Sequence, residues 1–199
     1  MTRASSDVLI DRVFINRSIA TDAMWIIAFS LVTAALAQIS IHVPGVPVPI
    51  TGQTFAVLLS GAVLGWRRGL LSQVAYLAEG AAGLPVFADG AGSPLHLVGP
   101  SGGYLLCFPL AAALVGYLVE QGAGRSIWKM AGALVSGDVM ILGAGSTWLH
   151  FVFRVPYPQA WLLGFYPFLL ADVVKVVLVG CTWPRLLRRI EASIDAPSD

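Results

Sequence analysis

The sequence predicts an all-α integral membrane protein: a six-transmembrane-helix bundle with both termini in the cytoplasm (N-in/C-in) and structured outer loops. Of its 199 residues, 57% are hydrophobic and only 12% are charged, and the mean hydropathy is +0.78. Soluble domains carry about 25% charged residues. The length suits one compact bundle without a second globular domain.

The helices are predicted from apolar runs near the length of about 20 residues that crosses a bilayer. These runs are Ala23 to Ile41, Thr54 to Gly65, Gly69 to Gly83, Gly103 to Val119, Met130 to Phe151, and Ala160 or Pro167 to about Pro184. The second and third are short and are separated by the charged stretch around Arg67. A re-entrant hairpin is therefore the alternative for that pair.

The basic residues fix the predicted orientation. In the six-helix arrangement, all of the 12 Lys and Arg residues except Arg154 and Lys175 fall on the cytoplasmic side. This distribution obeys the positive-inside rule. It predicts a polar cytoplasmic arm over 1–22, a transmembrane domain over 23–189 and a cytoplasmic tail over 190–199. The arm does not have the pattern of a cleaved signal peptide.

The two longer outer loops are predicted to fold back onto the bundle. Val43 to Thr51 contains three prolines, which stiffen the backbone. Leu84 to Ser101 is rich in Gly and Pro but also in Val, Leu and Phe. Flexible spacers are seldom so apolar.

Asp172 and Lys175 are the strongest candidates for a functional site. They are the charged residues of the apolar segment Phe168 to Cys181 and lie one helical turn apart on one face. A charge in a bilayer costs about 2.5–3.5 kcal/mol on insertion scales. The pair predicts a polar ligand site open to the outside, and an internal ion pair is the alternative.

Small residues on the first helix form a second pattern, Ser30 with Ala34 and Thr33 with Ala37. Such stripes allow close helix packing, either within this chain or against another membrane subunit. Glu79 is expected in water at the outer interface, and Asp138 is expected to bond a neighbouring helix.

Several chemistries have no supporting motif. The sequence lacks a GxxxxGK[ST] phosphate loop and the usual hydrolase motifs, so neither ATP hydrolysis by that route nor an enzyme activity is expected. His42, His96 and His150 have no carboxylate at ligand spacing, and Cys107 and Cys181 suit core packing. We expect no metal, no cofactor and no nucleic-acid partner.

Four segments follow one another along the chain: VPVPITGQTFAVLLSGAVLG (46–65), YLAEGAAGLPVFADGAG (76–92), GPSGGYLLCF (99–108) and YPFLLADVVKVVL (166–178). In this order they resemble the BioY family, the membrane-embedded biotin-binding subunits of energy-coupling-factor (ECF) transporters. The resemblance implies an outward-facing biotin site capped by the first outer loop. It also implies that Asp172 and Lys175 contact biotin.

The ureido ring of biotin offers two N–H donors and a carbonyl, so Asp172 is assigned to a ureido N–H. Lys175 serves either the ureido oxygen or the carboxylate. Tyr104 is assigned to a ligand wall or to packing, and Asp89 to the pocket or to an exposed turn. Thr51 and Gln53 either bind the ligand or cap the second helix.

The resemblance further implies a multi-pass protein of the bacterial cytoplasmic membrane that works with an ECF coupling transmembrane subunit and ATPases. Ser30, Thr33, Ala34 and Ala37 would form the docking face, and homo-oligomerisation stays open. The alternatives are a substrate subunit for another vitamin, an intramembrane enzyme using Asp138 and Asp172, and a purely structural subunit.

Overall fold

The chain folds mainly into α-helices connected by two structured outer loops. The computed structural model describes residues 8, 18–169, 172, 173, 177, 179, 182, 183 and 185. The helices are α1 (Ile19–Ala37), α2 (Gln53–Ala81), α3 (Gly102–Glu120), α4 (Ile127–Phe153) and α5 (Tyr157–Gly164). A two-stranded antiparallel hairpin joins β1 (Ser40–Ile41) to β2 (Ile50–Thr51). Single 3-10 turns form at Ala88–Gly90, Pro94–Leu97 and Ala123–Arg125.

Among the described residues, three helices are long and apolar enough to cross a membrane: α1, α3 and α4. They match the first, fourth and fifth predicted spans to within about four residues at each end, the usual uncertainty of helix boundaries. α1 begins after Ser18, whose hydroxyl accepts a hydrogen bond from the Ala20 N–H at 3.3 Å. This bond satisfies one of the free donors of the first turn.

α2 contains the second and third predicted spans as the two arms of a sharp hairpin. The backbone breaks at Gly65, where φ is 80° and ψ is 178°, a conformation that favours glycine. Gly61 and Gly69 then approach so closely that a Cβ on Gly69 would lie 2.9 Å from the Gly61 Cα. At 1.5 Å per residue, the arms 53–64 and 66–81 are about 18 and 24 Å long.

The break in α2 is seated on α3. A Cβ on Gly116 would lie 2.4 Å from the backbone of Gly65, so only glycine permits this approach. At the same end, the Trp66 N–H donates to the Glu120 carboxylate at 3.0 Å, and Arg68 pairs with Asp22 at 2.8 Å. The start of α1, the bend of α2 and the end of α3 therefore meet at the end that is predicted to be cytoplasmic.

A polar cluster lies between α1 and the two arms of α2. We call it the Gln73 cluster, and its members Thr33, Ser60, Ser72 and Gln73 are all fully buried. The Gln73 amide nitrogen donates to the hydroxyls of Ser60 (3.0 Å), Thr33 (3.2 Å) and Ser72 (3.2 Å). Each hydroxyl donates in turn to a backbone carbonyl of its own helix. The cluster joins α1 to both arms through side chains.

The predicted sixth helix is described only in part. α5 ends at Gly164, and the described residues between 166 and 185 are helical. Asp172, Val179 and Trp183 are buried among them, while Val173 and Val177 are exposed. The remaining positions, including Lys175 and Cys181, lie outside the described residues, as do most of the predicted N-terminal arm and the predicted C-terminal tail.

The outer loops fold back onto the bundle, as their composition predicts. The Tyr76 hydroxyl donates to the Val86 carbonyl at 3.1 Å, and the Trp148 indole donates to the Gly99 carbonyl at 3.0 Å. The Gln38 amide, at the end of α1, binds the second loop twice, because its nitrogen donates to the Phe87 carbonyl and its oxygen accepts from the Gly90 N–H. These contacts hold the second loop over the outer end of the helices, and in the first loop the Val48 side chain is buried in the core.

Candidate functional site

A cavity lies at the outer end of the bundle, beneath the two loops. It encloses about 540 Å³ free of protein atoms, part of which is its solvent-filled mouth. The lining is predominantly apolar and aromatic, with a few polar side chains: Val48, Pro49, Thr51, Gln53, Thr54, Phe87, Ala88, His96, Ser101, Tyr104, Leu105, Phe108, Leu142 and Phe168. An apolar cavity with a few placed polar groups is the usual form of a small-molecule site.

Asp172 is coupled to this cavity through Thr54. The carboxylate is buried, with 2% of the residue exposed. The Thr54 hydroxyl, at the start of α2, donates a hydrogen bond to Asp172 Oδ1 at 3.1 Å. The structure thus brings the strongest sequence candidate next to the cavity wall. Its predicted partner Lys175 lies outside the described residues.

Thr51 and Gln53 both line the cavity and also bond to each other. The Thr51 hydroxyl accepts from the Gln53 backbone N–H at 3.3 Å and donates to the Gln53 side-chain oxygen at 3.0 Å. The Gln53 amide nitrogen donates to the Tyr76 hydroxyl, which itself donates to Val86. Both residues therefore lie at the start of α2 and line the cavity, and their ligand role stays a prediction.

Tyr104 forms one wall of the cavity and is anchored behind it. Its hydroxyl donates to the Gly164 carbonyl at 2.6 Å, and its ring packs on Phe168 with centroids 5.7 Å apart. The close approach of α4 depends on Gly145, where a Cβ would collide with the Tyr104 ring at 2.2 Å. The two predicted roles, aromatic wall and packing element, are combined in this residue.

Asp89 does not line the cavity. It adopts a left-handed conformation with φ of 60° on the 3-10 turn Ala88–Gly90, and its carboxylate reaches across to β1. There it accepts from the Ser40 hydroxyl at 2.5 Å and pairs with His42 at 3.1 Å. Its contacts are those of a latch between the two outer loops, and its predicted ligand role stays a prediction.

The small-residue stripe of α1 is buried against the chain's own helices. Ser30, Thr33, Ala34 and Ala37 are each 9% exposed or less. The Ser30 hydroxyl donates to the Glu79 carboxylate at 2.8 Å, and Thr33 belongs to the Gln73 cluster. These contacts are those of packing within the chain. Glu79 is likewise half-buried on this interface, where the sequence predicted a carboxylate in water.

Asp138 is buried on α4, with 4% of the residue exposed, and is not among the residues that line the cavity. The enzyme alternative requires Asp138 and Asp172 to face one common pocket. The outer cavity is lined by neither Asp138 nor Asp172 themselves, so it does not support the enzyme alternative.

Sequence reasoning missed several lining residues, above all Thr54, His96 and Ser101. His96 and Ser101 belong to the loop that precedes α3, and their place in the cavity depends on how that loop folds back. The apolar composition of the loop was the available signal, because it indicates contact with the bundle. Thr54 directly follows Gln53 at the start of a predicted helix, where its distant partner Asp172 cannot be read from local pattern.

Comparisons with known proteins agree with this geometry. The sequence profile described as "BioY family" matches residues 5–192. The chain is 36% identical over 156 residues to a protein of Pyrococcus horikoshii named "Probable biotin transporter BioY", covering 78% of this chain and 90% of that one. It is 40% identical over 146 residues to the "Biotin transporter BioY" of Thermotoga maritima, covering 73% and 85%. These relatives are named as transporters and not as enzymes.

The fold is also that of a solved structure. The chain superposes with a TM-score of 0.79 on the crystal structure of "the S-component for biotin from an ECF-type ABC transporter", with 23% sequence identity. The superposition covers 87% of this chain and 95% of that one. The overall fold of this chain is therefore a known one.

Proposed function

This chain belongs to the BioY family, and on that basis we propose that it captures biotin at the outer face of the bacterial cytoplasmic membrane for uptake into the cell. The relatives that carry this name are biotin transporters. The membrane location is supported by the apolar helices α1, α3 and α4.

The observation that carries the proposal is the buried Asp172 carboxylate, bonded to Thr54 in the wall of an apolar outer cavity. A buried carboxylate is an acceptor for N–H groups. The ureido ring of biotin supplies two such groups on a small rigid frame. The bond from Thr54 holds the Asp172 carboxylate in one orientation next to the cavity, and we assign that carboxylate to a ureido N–H.

The apolar lining suits the remainder of biotin. Phe108, Leu142, Phe168 and the ring of Tyr104 offer surfaces for the sulfur-containing ring and the valerate chain. Burying such apolar surface contributes about 25 cal/mol per Å². In this proposal Asp172 determines the orientation of the head group, and the apolar walls provide much of the affinity.

Thr51 and Gln53 act mainly as positioning residues in this proposal. Their hydrogen bonds run from the start of α2 through Tyr76 to the backbone of Val86, next to the cavity residue Phe87. A ligand that contacts Thr51 or Gln53 is thereby linked to the loop that covers it. Lys175 keeps its predicted ligand role, and the described residues do not bear on it.

Uptake requires partners for energy coupling. The sequence has no phosphate-binding loop, so we propose that an ECF coupling transmembrane subunit and ATPases supply the energy. The buried stripe of α1 is not accessible to such a subunit in this structure. The docking surface is accordingly proposed to lie elsewhere on the bundle.

The test is calorimetric titration of the detergent-purified full chain with biotin, and with thiamine as a vitamin that lacks a ureido ring. We expect one-to-one binding of biotin and no heat from thiamine. A folded chain that binds no biotin would contradict the proposal. Equal binding of thiamine would support a subunit for another vitamin.

A further inference from the structure

Exposed aromatic side chains surround the end of the bundle that is predicted to be cytoplasmic. Trp66 lies at the bend of α2, Tyr117 on the last turn of α3 and Trp128 at the start of α4. Their side chains are 38%, 52% and 86% exposed, respectively. Rings with one apolar and one polar edge prefer the level of the lipid headgroups. These three residues therefore mark the depth at which this end meets the boundary between acyl chains and headgroups.

An exposed basic residue directly follows each of the two tryptophans. Arg67 follows Trp66, and Lys129 follows Trp128. Within the part of the chain that the structure describes, the side chains of Arg67 and Lys129 form no ion pair and no hydrogen bond. The neighbouring Arg68 differs, because it is half-buried and forms an ion pair within the bundle. Arg67 and Lys129 thus carry positive charge that the described chain does not neutralise.

The charge at this end is positive on balance. Four described basic side chains lie there, against two described acidic ones: Arg67, Arg68, Arg125 and Lys129, with Asp22 and Glu120. The Asp22 carboxylate is paired with Arg68, and the Glu120 carboxylate accepts from the Trp66 backbone N–H. Both acidic groups are therefore already used inside the bundle. A positive excess next to the membrane attracts the anionic lipids of the cytoplasmic leaflet.

The geometry at the bend of α2 suits a phosphate group. The Arg67 guanidinium lies over the Trp66 ring, with its central carbon 5.0 Å from the ring centroid. This cation–π contact holds the guanidinium in place without using its N–H donors. A planar guanidinium presents those donors as a fork that matches phosphate oxygens. The ring is thus placed for acyl chains and the guanidinium for the headgroup of one lipid.

We propose that this end of the bundle binds anionic phospholipids, with lipid phosphate groups at Arg67 and Lys129 and acyl chains beside Trp66 and Trp128. A lipid fits better than a soluble phosphate, because it also covers the exposed rings. The Arg67 site has its geometry preformed, whereas Lys129 supplies a flexible point charge. This binding surface is independent of the outer cavity and of biotin, so the inference goes beyond the proposed function.

The test measures lipid binding to the detergent-purified full chain by native mass spectrometry. The chain is titrated with phosphatidylglycerol, which is anionic, and with phosphatidylcholine, which is zwitterionic. Glycerol phosphate supplies the anion without acyl chains. The variants are Arg67→Gln, Lys129→Gln and the double variant. Thermal unfolding without added lipid, expected to match wild type, checks that each variant is folded.

Two further variants are the controls. Arg67→Lys keeps the charge at the bend of α2 but loses the fork of donors. Arg154→Asn removes an exposed charge at the opposite end of α4, where asparagine tolerates the φ of 55°. Biotin titration of each variant should match wild type, because none of these residues lines the outer cavity.

We expect wild-type protein to bind phosphatidylglycerol about 30-fold more tightly than phosphatidylcholine. Each single glutamine variant should lose about fivefold of this preference, and the double variant should lose nearly all of it. Arg67→Lys and Arg154→Asn should stay within about twofold of wild type. Glycerol phosphate should not bind measurably.

Several results would overturn the inference and leave biotin capture untouched. Equal affinity for both lipids would leave Arg67 and Lys129 to an acidic surface of another membrane subunit. A preference that survives in the double variant would place lipid recognition elsewhere. An equal loss in Arg154→Asn would reduce the effect to general attraction, and tight binding of glycerol phosphate would indicate a site for soluble phosphate. If Arg67→Gln unfolds, Lys129→Gln decides the question alone.

Discussion

The Gln73 cluster is buried inside the bundle and the outer cavity opens at its end, and the two differ in how their polar side chains are used. In the cluster, the Gln73 amide nitrogen bonds three hydroxyls, and each hydroxyl also bonds a backbone carbonyl. In the cavity, His96 and Ser101 form no such bond among the described residues and face open space. Buried polarity by itself therefore does not identify a binding site. Unused hydrogen-bonding capacity beside a cavity is the better criterion.

The largest expected effect is on stability, from Gln73→Ala. The change removes the shared donor of three hydroxyls and leaves a cavity among fully buried side chains. The free energy of unfolding should fall by about 2–4 kcal/mol. Thermal unfolding of the detergent-solubilised variant measures this loss.

Val74→Ala is the matched control, because Val74 follows Gln73 on the same helix and is 44% exposed. It should change stability by about 0.5 kcal/mol or less. The Gln73→Ala protein that stays folded should bind biotin as wild type does. A stable Gln73→Ala variant that binds biotin weakly would contradict this comparison, because the Gln73 cluster would then contribute to binding.

The next effect is on binding, from Asp172→Asn. The asparagine oxygen can still accept the Thr54 hydrogen bond, so the fold should be retained. The amide nitrogen, however, brings donors toward ureido N–H donors. Biotin affinity should fall about 30- to 100-fold, which calorimetry measures.

Val173→Ala, at an exposed position one residue further along, should leave biotin binding unchanged. An Asp172→Asn variant with wild-type affinity would remove Asp172 from the site. A variant that fails to fold would instead indicate that Asp172, like Gln73, has a structural role.

The smallest effect is expected from Asp89→Ala, which removes the latch to Ser40 and His42. The side chains of His42 and Asp89 are 66% and 50% exposed, and exposed ion pairs contribute little. The dissociation rate of biotin should rise about two- to fivefold because the covering loops separate more readily. Stopped-flow displacement measures this rate.

Asp89→Asn is the appropriate control for the latch. Asparagine tolerates the φ of 60° and keeps an acceptor for Ser40, so its dissociation rate should lie nearer to wild type. A loss of affinity of about tenfold or more in Asp89→Ala would exceed a latch effect. It would restore the direct ligand contact that the sequence predicted for Asp89.

The sequence predicts the helices better than it predicts the site. Apolar length is a local property, so α1, α3 and α4 are found close to their predicted positions. The bend of α2 is harder to predict from the sequence, because it depends on the positive φ of Gly65 and on the close contact of Gly65 with Gly116. The six-helix count itself is not established by the described residues.

For the site, Asp172 can be identified from the sequence alone, because a charged residue within an apolar segment is rare. His96 and Thr54 cannot, because their importance comes from contacts between distant parts of the chain. For the stripe of Ser30 and Thr33, the sequence left two alternatives open, packing within the chain and docking to another subunit. Small residues predict close packing correctly but do not indicate which surface they contact.

The short arms of α2 have a consequence for the lipids around the protein. The hydrocarbon core of a bilayer is about 30 Å thick, whereas the arms rise about 18 and 24 Å. α1 and α3 pack on the hairpin, but the hairpin still exposes Leu71 and Val74. Acyl chains beside these residues must shorten or tilt to match it, at a cost that increases with each ångström of mismatch. Bilayers of short-chain lipids should therefore accommodate this protein with less deformation than thick, sterol-rich membranes.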